Sequence, residues 1–306
     1  MKFLIETDRQ GKFLYDFSQM LVAMHDDCDR WGIKYDIETC LVEDLQPDGW
    51  FAKKFKAGEI ETNEYTPVGS VEFVQTFAKL MWGDFGVITP LNVPSELQPM
   101  LYSGRSIYNI PSKKCAEIFI KELTGKRKLH DRWYVKDANI IKHPDNKFYD
   151  VIKDTRNGMM TMEARIGPDG NTCGKVFDHD FADKIVGKQV SSVVPDIVSE
   201  WRIFVDKKDI RGAVVGCECY SGDPIAFPRA DRIRQFIDAY TLSPDIYTLD
   251  VMVDKFGNTW VVECHEFFSC GLYGFEYINY PNMVSRAWFA IRQRIEASMR
   301  YKNSQC

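Results

Sequence analysis

At 306 residues the chain can bury a sizeable core, in one large domain or in two to three smaller ones. A hydrophobic fraction of 45% and a charged fraction of 27% are those of an ordinary soluble globular protein, and no apolar run reaches membrane-spanning length. The net charge of -5 gives no reason to expect nucleic acid as a partner.

In chain order, the opening MKFLIETDRQGKFLYDF is broken by charge too early for a signal peptide and reads as a strand and a turn. Met20, Leu21, Met24 and Cys28 recur at helical spacing between Phe17 and Trp31. YDIETCLVED reads as a second strand, TPVGS ends a third at Gly69, and VEFVQTFAKLMW continues as a helix with Val71, Val74, Phe77 and Ala78 on one face. This alternation predicts a parallel sheet for residues 1–110. A second unit, residues 111–195, holds strands in DRWYVKD, KFYDVIKD and MTMEARIG, and its polar stretch GPDGNTCGKVFDHDFADK reads as a lid loop. In the third, residues 196–306, SEWRIFVD, IRGAVVGCECYS, YTLDVMVD and TWVVECHE read as strands, with turns at DKKD and DKFGN. A final helix, PNMVSRAWFAIRQRIEASMR, carries Val284, Trp288, Ile291 and Ile295 on one face.

The nine cysteines are scattered and form no CxxC pair. Together with the absent secretion signal, this predicts reduced thiols and a cytoplasmic setting. Cys217 and Cys219 share a strand face, but a metal site there needs two more ligands and none is evident. The common phosphate, dinucleotide, zinc-protease and hydrolase motifs are missing: GNTCGKV at 170–176 is one residue short of a Walker A loop, and there is no GxGxxG, HExxH or GxSxG.

What the chain does contain is an ordered set of charges. Lys136 ends the strand in WYVKD, Lys142 and Lys147 follow it, Arg202 lies in SEWRIFV, and Asp250, Glu263 and Glu266, with His265 between the last two, fall on the final two strands. Lysines can neutralise phosphate oxygens, an arginine fork can hold a transferred phosphoryl group, and carboxylates at neighbouring strand ends can hold Mg²⁺ against a polyphosphate. Asp250 is an acid inside an apolar run, which is unfavourable unless it is paired or metal-bound. His25, His130, His143 and His179 have no identifiable partners in the sequence.

The order and local sequence of TPVGSVEFV, SGRSIY, WYVKD, SEWRIFV, YTLDVMV and VVECHEFFSCGLYGF resemble the ATP-grasp fold, and within it the bacterial and phage clade named for one arginine and two lysines. The resemblance runs from about residue 66 to 275. It implies an α/β (α+β) fold with an N-terminal pre-ATP-grasp α/β subdomain, a central lid subdomain and a C-terminal antiparallel-sheet subdomain. It implies Lys136 as the first phosphate-binding lysine, Lys142 or Lys147 as the second, Arg202 as the arginine, and Asp250 and Glu263 as the metal-binding acids. The adenine-facing hinge falls at Val193 and Val194, and Ser192 sits near where many such enzymes carry a ribose-binding acid. His265 stands where the family usually has Asn, which leaves Mg²⁺ a poorer ligand and brings Mn²⁺ or Glu266 into consideration. Arg105 in SGRSIY is a weaker candidate for substrate contact.

The implied activity is ATP-dependent ligation of a carboxylate to an amine through an acyl-phosphate, with an amino acid, a peptide or a protein as acceptor and neither nucleic acid nor membrane as partner. A non-catalytic nucleotide-binding or interaction protein on the same fold is the alternative, as is a phosphoryl transferase. The sequence leaves homo-oligomerisation open.

Overall fold

The structure is a computed structural model. It describes residues 2–14, 17–61, 64–86, 88, 91–103, 105–125, 132–137, 147–153, 160–165, 172–194, 197–215 and 226–304. The expected phosphate lysine Lys142 and the CxC pair Cys217 and Cys219 lie outside these residues. The chain forms two compact units, one made of residues 1–100 with 197–306, the other of residues 101–196. Among the described residues no helix is long and apolar enough to cross a membrane.

The first unit opens with β1 (Lys2–Glu6), α1 (Ser18–Trp31), β2 (Asp36–Cys40), α2 (Trp50–Lys56), β3 (Tyr65–Val68) and α3 (Val71–Trp82). The three strands form the expected parallel sheet in the order β2-β1-β3. The C-terminal end of the sheet is organised by the start of α3. Ser70 caps the helix by accepting from the Phe73 amide at 3.1 Å. The Ser70 amide in turn donates to the buried Glu6 carboxylate at 2.5 Å, placing negative charge at the helix N-terminus. Gly69 is required between them, because a Cβ there would stand 2.6 Å from the Glu6 side chain.

The second unit comprises β4 (Ile107–Ile110), α4 (Lys113–Gly125), β5 (Arg132–Asp137), β6 (Lys147–Lys153), β7 (Met160–Arg165), β8 (Thr172–Phe177), α5 (Asp178–Ile185) and β9 (Lys188–Ser192). They make a six-stranded antiparallel sheet in the order β4-β9-β5-β6-β7-β8. Phe119, Trp133, Phe181 and Ile185 pack in its core. The stretch expected to be a lid loop is therefore ordered structure over 172–185: a strand paired with β7, then a helix. Its polar composition hid Phe181 and Ala182, which are buried on one helical face together with Ile185 just beyond it.

The remainder of the first unit contains β10 (Ile197–Asp206), β11 (Asp209–Val215), α6 (Ala230–Ala239), β12 (Ile246–Asp254), β13 (Thr259–Glu266) and α7 (Tyr280–Asn303). The four strands form an antiparallel sheet in the order β11-β10-β12-β13. Every residue of β12 is buried. α6 was not legible as an element, although Ile233, Phe236 and Ile237 carry the helical spacing and are buried. Phe204 of β10, Phe267, Phe275 and Tyr280 join Phe3 and Ile5 of β1 in one core cluster.

The β12–β13 hairpin is fixed by Asp254. One of its carboxylate oxygens accepts from the amides of Phe256 and Asn258 at 2.9 Å each, while the other accepts from Trp260 Nε1 at 2.9 Å. Gly257 supplies the positive φ of 79° that the turn needs. This turn sets the register that brings the acids of the two strands face to face.

Candidate metal and phosphate site

Three adjacent strands of the first unit carry the charged set. Arg202 of β10 lies opposite Asp250 of β12, and Asp250 lies opposite Glu263 of β13. Directly opposed residues on neighbouring strands share a sheet face. His265, two residues beyond Glu263, lies on that same face by the period of two. The register slips between Asp250 and Val251, leaving Val262 as an extra residue in β13. Such a bulge re-aims the side chains beyond it, and here it brings Glu263, not Val262, opposite Asp250.

The contacts are close. Arg202 grips Asp250 with both prongs, Nε to Oδ1 at 2.9 Å and Nη2 to Oδ2 at 2.7 Å. His265 Nε2 lies 3.0 Å from Glu263 Oε1 and 3.4 Å from Asp250 Oδ2. One ligand atom from each of Asp250, Glu263 and His265 falls within 4.8 Å of the others. Burial alone would raise the Asp250 carboxyl, but hydrogen bonds from Arg202 and His265 outweigh it and hold the group below its ordinary value. Burial would likewise lower His265, but the Glu263 charge and the hydrogen bonds to both acids push its pKa up to about 10.

The residues fit a divalent cation. Two carboxylates converge with one imidazole at ligating separation, and a cation entering this mostly buried position would take the place of the proton that the two acids hold on His265. The nitrogen ligand suits Mn²⁺ better than Mg²⁺, which prefers oxygen throughout.

Glu266 does not join this set. It lies on the other face of β13, where it is buried and paired with Arg294 of α7. Among the described residues its second oxygen has no hydrogen-bond partner, and burial raises its pKa against the pull of Arg294.

The expected nucleotide residues lie in the second unit. Lys136 sits on β5 opposite Gln189, half-buried. Lys147 opens β6 opposite Val135. Ser192 closes β9, buried, and its hydroxyl accepts from the Ser106 amide at 2.9 Å while its own amide donates to Ser106 O at 2.9 Å. That hydroxyl therefore ties the segment before β4 to β9. The Val193 amide donates to Arg132 O at 3.1 Å, and Val193 and Val194 are half-buried.

Sequence reasoning missed two participants. One is Tyr273, whose ring centroid lies 5.2 Å from Arg202 Cζ; the other is Arg294, which pairs with Glu266 and so keeps that acid on the opposite face, outside the site. The only local signal for Tyr273 was its place before a glycine in GLYGF.

A parallel sheet and two antiparallel sheets are the architecture expected of an ATP-grasp protein. The chain belongs to the family described as ATP-grasp domain, R2K clade family 2, whose model matches residues 103–283, more than half of the chain. Among solved structures, it is similar to a D-cycloserine synthetase at 12% identity, with a TM-score of 0.48 over 96% of this chain and 100% of that one. It is also similar to the D-alanine–D-alanine ligase of Bacillus anthracis complexed with ATP, at 12% identity, with a TM-score of 0.40 over 96% and 98% of the two chains. A third is a macrocyclase of Microcystis aeruginosa bound with its precursor peptide, at 11% identity, with a TM-score of 0.42 over 94% and 98%. No curated protein matches the chain by sequence.

Proposed function

We propose that the protein is an ATP-dependent carboxylate–amine ligase. The observation that carries this reading is the convergence of Asp250, Glu263 and His265 beside the Arg202 fork on one largely buried sheet face. A buried cluster of this kind is unfavourable for folding alone. It suits a site where polyphosphate charge must be held.

In this reading Asp250, Glu263 and His265 hold a divalent cation, Mg²⁺ or Mn²⁺, whose bound charge offsets that of the β- and γ-phosphates. Lys136, with Lys142 or Lys147, neutralises phosphate oxygens as point charges. Val193 and Val194 flank adenine, and Ser192 supports the ribose side. Arg202 holds the transferred phosphoryl group. Asp250 engages two of its five N–H bonds, and the other three are directed elsewhere. A substrate carboxylate oxygen attacks the γ-phosphorus, the bond to the bridging oxygen breaks, and ADP leaves. An amine nitrogen then attacks the acyl carbon, phosphate departs, and the amine loses a proton. Position and charge supply most of the acceleration. The carboxylate and the amine belong to an amino acid, a peptide or a protein.

A non-catalytic nucleotide-binding role is favoured by one observation: both Asp250 oxygens already face Arg202, and His265 fills the space between the two acids. Calorimetry of ATP with Mg²⁺ and then Mn²⁺, on wild type, Lys136→Ala and Asp250→Asn, separates the readings. Metal-dependent binding weakened by both changes, followed by release of ADP and free phosphate with a carboxylate and an amine present, supports the ligase. A phosphorylated product in place of free phosphate marks a phosphoryl transferase. A folded protein that binds no nucleotide with either metal sinks the reading.

A further inference from the structure

The turn that follows β13 is built against the preference of its own sequence. The Phe275 amide donates to Leu272 O at 2.7 Å, closing a four-residue turn. Its central residues, Tyr273 and Gly274, have φ of 50° and 89°. Positive φ at both positions is the pattern of a type I′ turn, which favours Asn-Gly and disfavours a bulky residue at the first position. The ends of the turn are anchored. Leu272 and Phe275 are buried, and Phe275 stacks on Phe204 with centroids 4.1 Å apart and planes 10° from parallel. On β11, Gly212 makes room for Phe275, since a Cβ there would stand 2.7 Å from its ring.

The strained residue is aimed. Tyr273 is 48% exposed, yet its ring lies over the Arg202 guanidinium, 5.2 Å from Cζ. Asp250 fixes that guanidinium in its own plane through two hydrogen bonds. The face of an aromatic ring against the guanidinium adds a second contact to the ion pair and so limits the freedom of the group further. Strain at a residue over a charged group points to a function for that residue.

We propose that Tyr273 is a positioning residue for Arg202: held against the guanidinium by an unfavourable turn, its ring helps fix the orientation in which Arg202 presents the N–H bonds not directed at Asp250 to the terminal phosphoryl group. This rests on the ligase reading above, because it takes Arg202 to be the group that meets that phosphoryl. The consequence is selective. Tyr273 contributes to recognition of a triphosphate and not of a diphosphate. A residue that merely filled space would affect both nucleotides alike.

The test uses the full chain, Mn²⁺, ADP and the non-hydrolysable β,γ-imido analogue of ATP, with affinities from calorimetry and melting temperatures for each protein. Asn is at home at positive φ, so Tyr273→Asn melts at or above wild type. It lowers affinity for the triphosphate analogue about threefold to tenfold relative to ADP, while Tyr273→Phe keeps the wild-type ratio. An unchanged ratio in Tyr273→Asn overturns the proposal. So does an equal loss of both nucleotides with a fall in melting temperature, which marks a structural role. Wild type that binds neither nucleotide overturns the ligase reading, and this proposal with it.

Discussion

Arg202 and Asp250 face each other across β10 and β12, joined by two parallel hydrogen bonds of 2.9 and 2.7 Å with both side chains largely buried. Such a pair is favourable only while it is complete, because removing one partner leaves the other as an uncompensated charge away from water. Arg202→Met is expected to destabilise the protein by about 3 kcal/mol. Urea denaturation of this variant, of Asp250→Asn and of the double change checks it: the double variant recovers part of the loss, and strictly additive losses contradict the coupling.

The nitrogen ligand predicts a metal preference. His265→Asn replaces the imidazole by an amide oxygen, which suits Mg²⁺ and removes the advantage of Mn²⁺. The ratio of Mn²⁺ to Mg²⁺ affinity, read by calorimetry in the presence of ATP, is expected to fall severalfold. A ratio equal to that of wild type would show that His265 is not a ligand.

The two faces of β13 predict opposite behaviour from neighbouring acids. Glu263→Gln removes a donor from the cluster and weakens cation binding at least tenfold by the same measurement, an energy of about 1.4 kcal/mol. Glu266→Gln acts on the other face, where its partner is Arg294, and leaves cation affinity unchanged. If Glu266→Gln weakens the cation as strongly as Glu263→Gln, the separation of the two faces is wrong.

Asp206 gives a pH-dependent contribution to stability. Both its oxygens accept from Arg286 of α7 at 2.9 Å. Burial would raise its pKa, but the hydrogen bonds and charge of Arg286, with help from Arg211, hold it below the usual carboxylate value. A depressed folded pKa means that the stabilisation is present above the unfolded value of about 3.9 and is lost as pH falls through the folded value. Asp206→Asn should therefore lower stability by about 1–2 kcal/mol at neutral pH. The gap to wild type should close below about pH 4. Denaturation midpoints from pH 7 downward test this, and a gap that widens in acid reverses the sign.

Gly69 is expected to tolerate no side chain. A methyl group there meets the Glu6 carboxylate and the Phe73 ring, so Gly69→Ala should cost about 1–3 kcal/mol, visible as a lower melting temperature.

Much of the fold was legible because hydrophobic period is a local property. α3 spans the twelve residues of VEFVQTFAKLMW, and its Phe77 and Ala78 stripe is buried as the spacing requires. β12 was readable as an unbroken apolar run containing one acid. Elsewhere the local signal misled. The stretch from Gly167 to Lys184 read as a lid loop because its polar residues outnumber Phe181 and Ala182, yet both of these are buried in the core of the second unit. α6 went unseen for a similar reason, as charged residues surround its Ile233, Phe236 and Ile237 stripe.

By itself the sequence determined which residue types are present and the order in which they occur: an arginine on one strand, an acid within an apolar run on another, and a Glu-x-His at the end of a third. Those are local facts, and they were enough to suggest the family and the identity of the charged set. The tertiary structure decided which of them meet. The Asp254 turn set the hairpin register, and the extra residue Val262 shifted the alternation so that Glu263 and His265 face Asp250 while Glu266 faces α7. It also placed Tyr273 over Arg202. A one-residue change of register moves a side chain to the opposite face of a sheet, and register is a property of paired strands that neither strand carries alone.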